Sequence, residues 1–217
     1  MNELFLFDRE QNVQYVIGTD EAGRGPAAGG VFASAVCFTN YNDSLIKDLS
    51  KLNDSKKLTQ QVRSELFDII NKNTINSTVC IEVDEIEKIN ILRASLKAMK
   101  LACETVISNL GANSVNTVTL VDGSNLIREY NYPQKTIIKG DSKSASIAAA
   151  SILAKVSRDR YMSELDKKYP MYGWANNAGY LTSDHLEAID KFGLCEFHRK
   201  SFLERHAVEQ LSLFTLS

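Results

Sequence analysis

The chain of 217 residues has no excess of positive charge: 25 Lys and Arg stand against 27 Asp and Glu, a formal net charge of −2. That balance excludes a global attraction to a polyanion, so any grip on nucleic acid must come from a local basic surface or from metal ions. A disulfide scaffold or zinc ribbon is also missing. Cys37, Cys80, Cys103 and Cys195 lie far apart with no C-x-x-C pair, which fits free, buried thiols in a reducing compartment. His185, His198 and His206 have no tight spacing with one another or with a cysteine, so surface or hydrogen-bonding roles are expected rather than metal ligation. No apolar run reaches the roughly 18 residues that crossing a bilayer requires. The N-terminal MNELFLFDREQN carries acids where a leader would be basic and then apolar. A cytoplasmic protein with no membrane partner is expected.

What is present is ordinary globular material, 44% hydrophobic and 24% charged, long enough for one main domain. Val13 to Asp20 and Val31 to Phe38 are rich in strand formers and flank a glycine-rich turn, which predicts a hairpin. Thr59 to Asn71 carries Val62, Leu66, Ile69 and Ile70 at helical spacing, and Thr78 to Val83 reads as a third strand. Between Glu85 and Leu110 the residues Ile89, Leu92, Leu96, Met99, Cys103 and Val106 keep to one face, predicting a single long helix stopped by Gly111. Thr117 to Val121 and Lys135 to Ile138 read as strands. Ser142 to about Leu165 reads as a helix rich in small residues. Three early strands followed by alternating strand and helix predict an α/β domain with a mixed sheet flanked by helices. From Tyr169 the composition turns to a loop, then helical material from Ser183 to Phe192, a small C-terminal helical region. The expected boundaries are 1–168, 169–209 and a tail at 210–217.

Asp20 and Glu21 end one predicted strand, and Asp122 and Asp141 each stand at the end of another. Singly, an acid before glycine is ordinarily a turn former or a helix cap. Jointly, strand-end acids can converge where ligands of α/β sheets collect. Close carboxylates resist joint ionisation unless a cation neutralises them, and hard cations such as Mg²⁺ prefer carboxylate oxygen. Two such ions could serve an in-line displacement at phosphorus with no protein nucleophile.

The segment Gly18-Thr19-Asp20-Glu21-Ala22-Gly23-Arg24-Gly25-Pro26 resembles the signature of type 2 ribonucleases H. Asn53-Asp54-Ser55-Lys56-Lys57-Leu58 resembles that family's DSKKL segment, and Asn90-Ile91-Leu92 with Ala98-Met99 its NIL…AM helix. Val121-Asp122-Gly123 and Lys139-Gly140-Asp141-Ser142, running into Ile147 to Val156, resemble its third- and fourth-carboxylate segments. Tyr180, Thr182 and His185 resemble its GYxTxxH element, so the matches span nearly the whole chain. The resemblance implies a ribonuclease H-like fold and an endonuclease that cuts the RNA strand of RNA/DNA hybrids and nicks 5′ of ribonucleotides in duplex DNA. It also implies Asp20, Glu21, Asp122 and Asp141 as catalytic ligands of Mg²⁺ or Mn²⁺. Gly23, Arg24, Gly25 and Tyr180 would read the RNA–DNA junction, the glycines allowing close approach to a sugar whose 2′-hydroxyl marks RNA. Arg24 and Lys56 are the favoured phosphate contacts, with Lys57, Lys139, Lys143 and Lys155 as weaker candidates. Three positions depart from the family pattern: Gly30 replaces the usual Pro, Ala178 a common Lys, and Leu181 a common Gly.

Two other classes stay open: another nuclease or resolvase on the same fold, and a non-catalytic nucleic-acid-binding module. The glycine loop with Tyr180 speaks against the first, and the presence of all four acids against the second. A type 3 ribonuclease H would carry an added N-terminal domain, whereas only Met1 to Asn12 precede the first predicted strand. A monomer is expected. The tail offers one partner: Gln210, Leu211, Ser212, Leu213 and Phe214 resemble the short motif by which many bacterial replication and repair proteins bind the sliding clamp. The alternative is that Leu211, Leu213 and Phe214 pack on the protein's own surface.

Overall fold

The structure, a computed structural model, describes residues 3–52 and 58–204. Its elements run α1 (Glu3–Arg9), β1 (Tyr15–Ala22), β2 (Val31–Cys37), α2 (Asp43–Asp48), α3 (Gln60–Asn73), β3 (Ile75–Ile81), α4 (Val83–Ile89) and α5 (Ile91–Leu110). They continue with β4 (Thr117–Asp122), β5 (Gln134–Ile137), α6 (Ala145–Lys168), α7 (Trp174–Asn177) and α8 (Ser183–Phe192).

Five strands form one mixed sheet in the order β3-β2-β1-β4-β5. The predicted hairpin is there, β1 pairing antiparallel with β2 and β2 with β3, while β4 and β5 run parallel to β1. All seven residues of β2 are buried, as are the five at the middle of β1, because helices cover both faces of these central strands. On one face, Ala33 and Ala35 leave room for α5, whose Ala94, Ala98, Met99, Ala102, Cys103 and Val106 pack in the same cluster. On the other face lies α6. Gly18 is required there by close approach: a Cβ on it would stand 2.1 Å from the backbone carbon of Ser146. Ala145, Ala148, Ala149, Ala150 and Ile152 of α6 are buried all round, because α1 and α3 cover the side turned away from the sheet.

The structure corrects several expected elements. The helix predicted from Glu85 to Leu110 is two helices. Asn90 takes φ 68° and ψ 162°, a positive-φ conformation outside the left-handed helical region, ending α4 while its side chain accepts from the Arg93 amide to cap α5. Both α1 and α2 lie in stretches where no helix is expected from periodicity. β1 runs on through Asp20 and Glu21 to Ala22, so these acids lie within the strand. Asp141 stands beyond β5 in a 3₁₀ turn, Gly140–Ser142, and α6 starts at Ala145. The expected loop after Tyr169 holds a 3₁₀ turn, Pro170–Tyr172, and α7. Among the described residues no helix is long and apolar enough to cross a membrane.

Short α1 is held by one carboxylate. Asp8, fully buried, accepts from the Ser144 hydroxyl and, at 2.8 and 2.6 Å, from the Ser146 amide and hydroxyl, satisfying donors at the start of α6. Burial raises its carboxyl pKa, and the three hydrogen bonds pull it back. The C-terminal cluster is polar in the same closed manner. His185 and His198 are both buried, against the expectation of surface placement and in line with hydrogen bonding. The Cys195 amide donates to His198 Nδ1, which puts the His198 proton on Nε2, 3.2 Å from His185 Nε2. The Trp174 indole also donates to His185 Nε2, so His185 carries its proton on Nδ1 and donates it to the Tyr180 carbonyl at 2.9 Å. Both rings are therefore neutral.

Asp8→Ala strands buried donors at the start of α6, and urea unfolding is expected to show a loss of about 2–4 kcal/mol. A loss under ~1 kcal/mol would mean that α1 is dispensable to α6. The histidine pair gives a pH signature. Burial, and then the neighbouring His185, lower the His198 pKa to about 4, and burial lowers that of His185. The unfolded chain therefore takes up protons first as pH falls. Stabilisation is complete above the unfolded value near 6.5 and is lost between there and about 4, on the order of 2 kcal/mol in all. His198→Gln is expected to be less stable at pH 7 but to show a shallower decline in Tm toward pH 4.5; equal slopes in both proteins would contradict the neutral pair.

Candidate active site

The C-terminal ends of β1, β4 and β5 open on one edge of the sheet, because these three strands are parallel. Thr19 of β1 pairs with Val121 of β4, so the residues that follow, Asp20 and Asp122, come level on adjacent strands. Beyond β5 the chain turns through Lys139, in a left-handed conformation, to Gly140, whose amide donates to Asp122 Oδ1 at 2.7 Å. That bond draws the Asp141 turn against β4. A Cβ on Gly140 would stand 2.5 Å from the end of the Ile147 side chain and 3.1 Å from Asp122 Oδ1, so any larger residue would have to displace one of them.

Asp20, Glu21, Asp122 and Asp141 all line one cavity of about 480 Å³, together with Gly23, Arg24, Gly25 and Tyr180. These eight residues come from four separate segments of the sequence, and the fold brings them together. Asp20 is buried and its Oδ1 accepts from the Glu21 amide at 2.7 Å. Burial, and then the charges of Glu21 and Asp122, push its carboxyl well above the usual range, against a hydrogen bond from Ser151. Burial likewise raises Glu21, although the Arg24 guanidinium, 3.1 Å from Oε1, pulls it back. The acids thus crowd where, among the described residues, no lysine or arginine forms an ion pair with Asp20, and a cation there would relieve the repulsion.

The donors are all carboxylate oxygens, which suits a hard divalent ion. Among the described residues no group of three or more His, Cys, Asp or Glu side chains is placed to hold a metal ion as they stand. A hard divalent ion commonly keeps several waters and completes its shell with substrate phosphate. Asp20, Glu21, Asp122 and Asp141 are the residues available to hold it.

Gly25 faces the Tyr180 ring: a Cβ on it would stand 3.2 Å from Cε1, and the ring itself is 53% exposed. Tyr180 is placed by its backbone, its amide donating to the Asn177 carbonyl and its carbonyl accepting from Thr182 and His185. Lys155 lines the same cavity but is paired with Asp159 at 2.6 Å, and Lys139 and Lys143 are exposed. Lys56 and Lys57 lie outside the described residues, as do His206 and the tail residues Gln210, Leu211, Leu213 and Phe214. Gly30 has a local reason: a Cβ there would meet the Cys80 sulfur at 2.5 Å, so Cys80 occupies the space. Ala178 adopts φ 51° and Leu181 is half-buried.

Three cavity residues were missed from the sequence. Arg63, Ser151 and Arg158, on α3 and α6, line the cavity and were not among the expected site residues. Arg158 had one usable signal. It falls on the face of α6 that also carries Ser151, Met162 and Leu165, an apolar stripe interrupted by a cation.

A family model for ribonuclease HII matches residues 17–205. A curated ribonuclease HII of Acetivibrio thermocellus is 47% identical over 211 residues, covering 95% of this chain and 77% of the relative. That of Fusobacterium nucleatum is 47% identical over 205 residues, covering 94% and 92%. Among solved structures, the chain resembles the ribonuclease HII in a PCNA:RNase HII complex from Archaeoglobus fulgidus. The TM-score is 0.68 at 25% identity, covering 85% of this chain and 93% of that one. Bst-RNase HIII in complex with Mn²⁺ shares the fold at TM-score 0.65 and 15% identity, covering 87% and 66%. The chain belongs to the ribonuclease HII family, metal-dependent ribonuclease H endonucleases.

Proposed function

We propose that this protein hydrolyses the phosphodiester on the 5′ side of ribonucleotides embedded in duplex DNA, and cuts the RNA strand of RNA/DNA hybrids, using Mg²⁺ or Mn²⁺. The observation that carries this reading is the single cavity shared by four carboxylates, the Gly23–Gly25 loop and the ring of Tyr180. Asp20, Glu21, Asp122 and Asp141 hold the ions. A bound pair of divalent ions supplies an activated water and stabilises the leaving oxygen of an in-line displacement. The protein's part is to fix the acids before substrate arrives. The Gly140 amide holds one oxygen of Asp122 and the Glu21 amide one oxygen of Asp20. Without side chains, Gly23 and Gly25 let backbone groups reach the sugar, where a 2′-hydroxyl both donates and accepts. Tyr180 offers its exposed ring to the neighbouring nucleotide, and a mismatch at this contact rejects an all-DNA strand. Arg24 and Lys56 contact backbone phosphate, which positions the duplex without reading its sequence. The C-terminal region, 169–209, serves the substrate site through Tyr180, beside a catalytic domain at 1–168. The protein acts as a monomer.

The test is a duplex bearing one ribonucleotide beside an all-DNA control. Only the first is expected to be nicked, 5′ of the ribonucleotide, and only with divalent metal. Asp122→Asn and Asp141→Asn are expected to lose more than the roughly 10–100-fold that changes in outer-shell partners of a metal site cost, with circular dichroism unchanged. Equal cutting of both duplexes, or activity in excess chelator, would falsify the assignment.

We also infer that the tail binds the organism's sliding clamp through Gln210, Leu211, Leu213 and Phe214. The support is the motif itself and the similar ribonuclease HII of Archaeoglobus fulgidus in its complex with PCNA. Burying Leu213 and Phe214 contributes roughly 1.5–3 kcal/mol each before the tail is ordered, a weak and reversible tether. Such a tether raises the local concentration of the nuclease at newly made duplex. A peptide of residues 207–217 is expected to bind the clamp, and Gln210→Ala with Phe214→Ala to abolish binding of the full chain while leaving cleavage of free oligonucleotides unchanged. Normal clamp binding by the double variant would refute this role.

A further inference from the structure

Two arginines are buried beneath the glycine loop, and among the described residues neither has a carboxylate within ion-pair distance. Arg158 donates from Nε to the Gly30 carbonyl at 3.2 Å, from Nη2 to Ala28 at 3.0 Å and from Nη1 to Ala178 at 3.0 Å. Arg199 donates from Nε and Nη2 to the Gly29 carbonyl and from Nη1 to Pro26. Burying a cation without an ion pair is costly; here the direct hydrogen bonds come from backbone carbonyls, with the more distant charges of Asp159 and Glu87 and the Phe202 ring beside Arg199 adding to them. If rigidity of the loop were the only need, Arg199 would supply it, since all its side-chain bonds go to residues 26–29. Arg158 does something further. It is the one of the two that also reaches Ala178, two residues before Tyr180, and so joins the two segments that face each other at Gly25 and the Tyr180 ring. It also fills the space beside Gly23, where a Cβ would stand 2.2 Å from Nε.

We propose that Arg158 is a positioning residue for ribonucleotide recognition: its planar fork sets the gap between the glycine loop and Tyr180 in which the sugar at the RNA–DNA junction is read. The inference rests on the proposed function and assigns a residue that touches neither metal nor the scissile bond. The fork is what matters. Arg158 presents donors fixed in one plane, matched here to three carbonyls from two segments, whereas lysine offers a point charge on a flexible stem. Arg158→Lys keeps the charge and loses the register.

The experiment uses the full chain with Mg²⁺, measuring kcat/KM on a duplex with one ribonucleotide and on an RNA/DNA hybrid, for wild type, Arg158→Lys, Tyr180→Ala and the double variant. Misplacement of about 1 Å can cost on the order of 100-fold. Arg158→Lys is expected to lose about 30–100-fold on the single ribonucleotide and less on the hybrid, whose many ribonucleotides offer alternative registers. Adding Tyr180→Ala to Arg158→Lys is expected to cost under about 3-fold more, because the two residues act through one contact. Binding of Mn²⁺ by calorimetry is expected to be unchanged. Arg199→Lys serves as the comparison, lowering Tm without this coupling to Tyr180. Additive losses from Arg158→Lys and Tyr180→Ala, or an equal loss on both substrates, overturn the proposal. Failure of both Arg158→Lys and Arg158→Gln to fold overturns it as well, since Arg158 is then a structural residue only. A wild-type protein that ignores ribonucleotides altogether overturns the proposed function first.

Discussion

Carboxylates do not gather in a half-buried cavity unless the fold holds them there, and most of the catalytic half of this structure is arranged around that constraint. Asp20 is buried with the charges of Glu21 and Asp122 acting on it, which raises its affinity for protons or for any other cation. Left free, such groups would swing apart into solvent. Here each is attached to something stiff: Asp20 and Glu21 lie within a central strand, and Asp122 ends the next one. Asp141 follows a glycine whose amide is bonded to Asp122. A divalent ion placed among these acids would relieve the repulsion.

Helix α6 links that cavity to the recognition side. Its start follows Asp141 directly and is fastened by Asp8, so a helix of seven residues at the N-terminus bears on the position of an acid far along the chain. Its middle lies flush on β1 because Gly18 has no side chain. Further on, Arg158 reaches under the glycine loop. Near its end Met162 and Leu165 pack with Tyr172, Trp174 and Ala188, which seat the turn carrying Tyr180. A single rigid helix therefore relates the acids to the loop and the tyrosine. That geometry suits a reaction in which the bond to be cut must lie at a fixed distance from the hydroxyl that is recognised.

Much of this was legible in the sequence, and the exceptions have physical causes. The mixed sheet and the four acids could be read because strands alternate with glycine-bounded turns and because strand-end acids stand out. The break at Asn90 was hidden, since apolar periodicity continues across it and only the positive φ divides the helix. Helix α1 was hidden for the opposite reason: its inward residues Leu4, Phe5 and Asp8 are too few to establish a period, and one of them is a charge. Asp8, Arg158 and Arg199 look like surface residues when read one at a time. Their burial depends on partners far away in the chain, the amide of Ser146 and the carbonyls of Pro26, Ala28, Gly29, Gly30 and Ala178. Local pattern carries no trace of such partners.

The net charge of −2 is consistent with a polyanionic substrate once charge is followed by location rather than by sum. The acids occupy the floor of the cavity, where divalent ions would reverse the local sign. Arg24 stands exposed on its rim, and Arg158 and Arg199 lie buried behind the loop. A cation buried away from water is weakly screened, so it acts on a phosphate over a longer range than a surface lysine of equal charge. Each buried guanidinium also turns carbonyl oxygens inward, which removes their partial negative charge from the surface the duplex meets. The loop thus presents little that repels a phosphodiester. A chain of acidic pI can therefore hold a nucleic acid at one place without attracting it everywhere else.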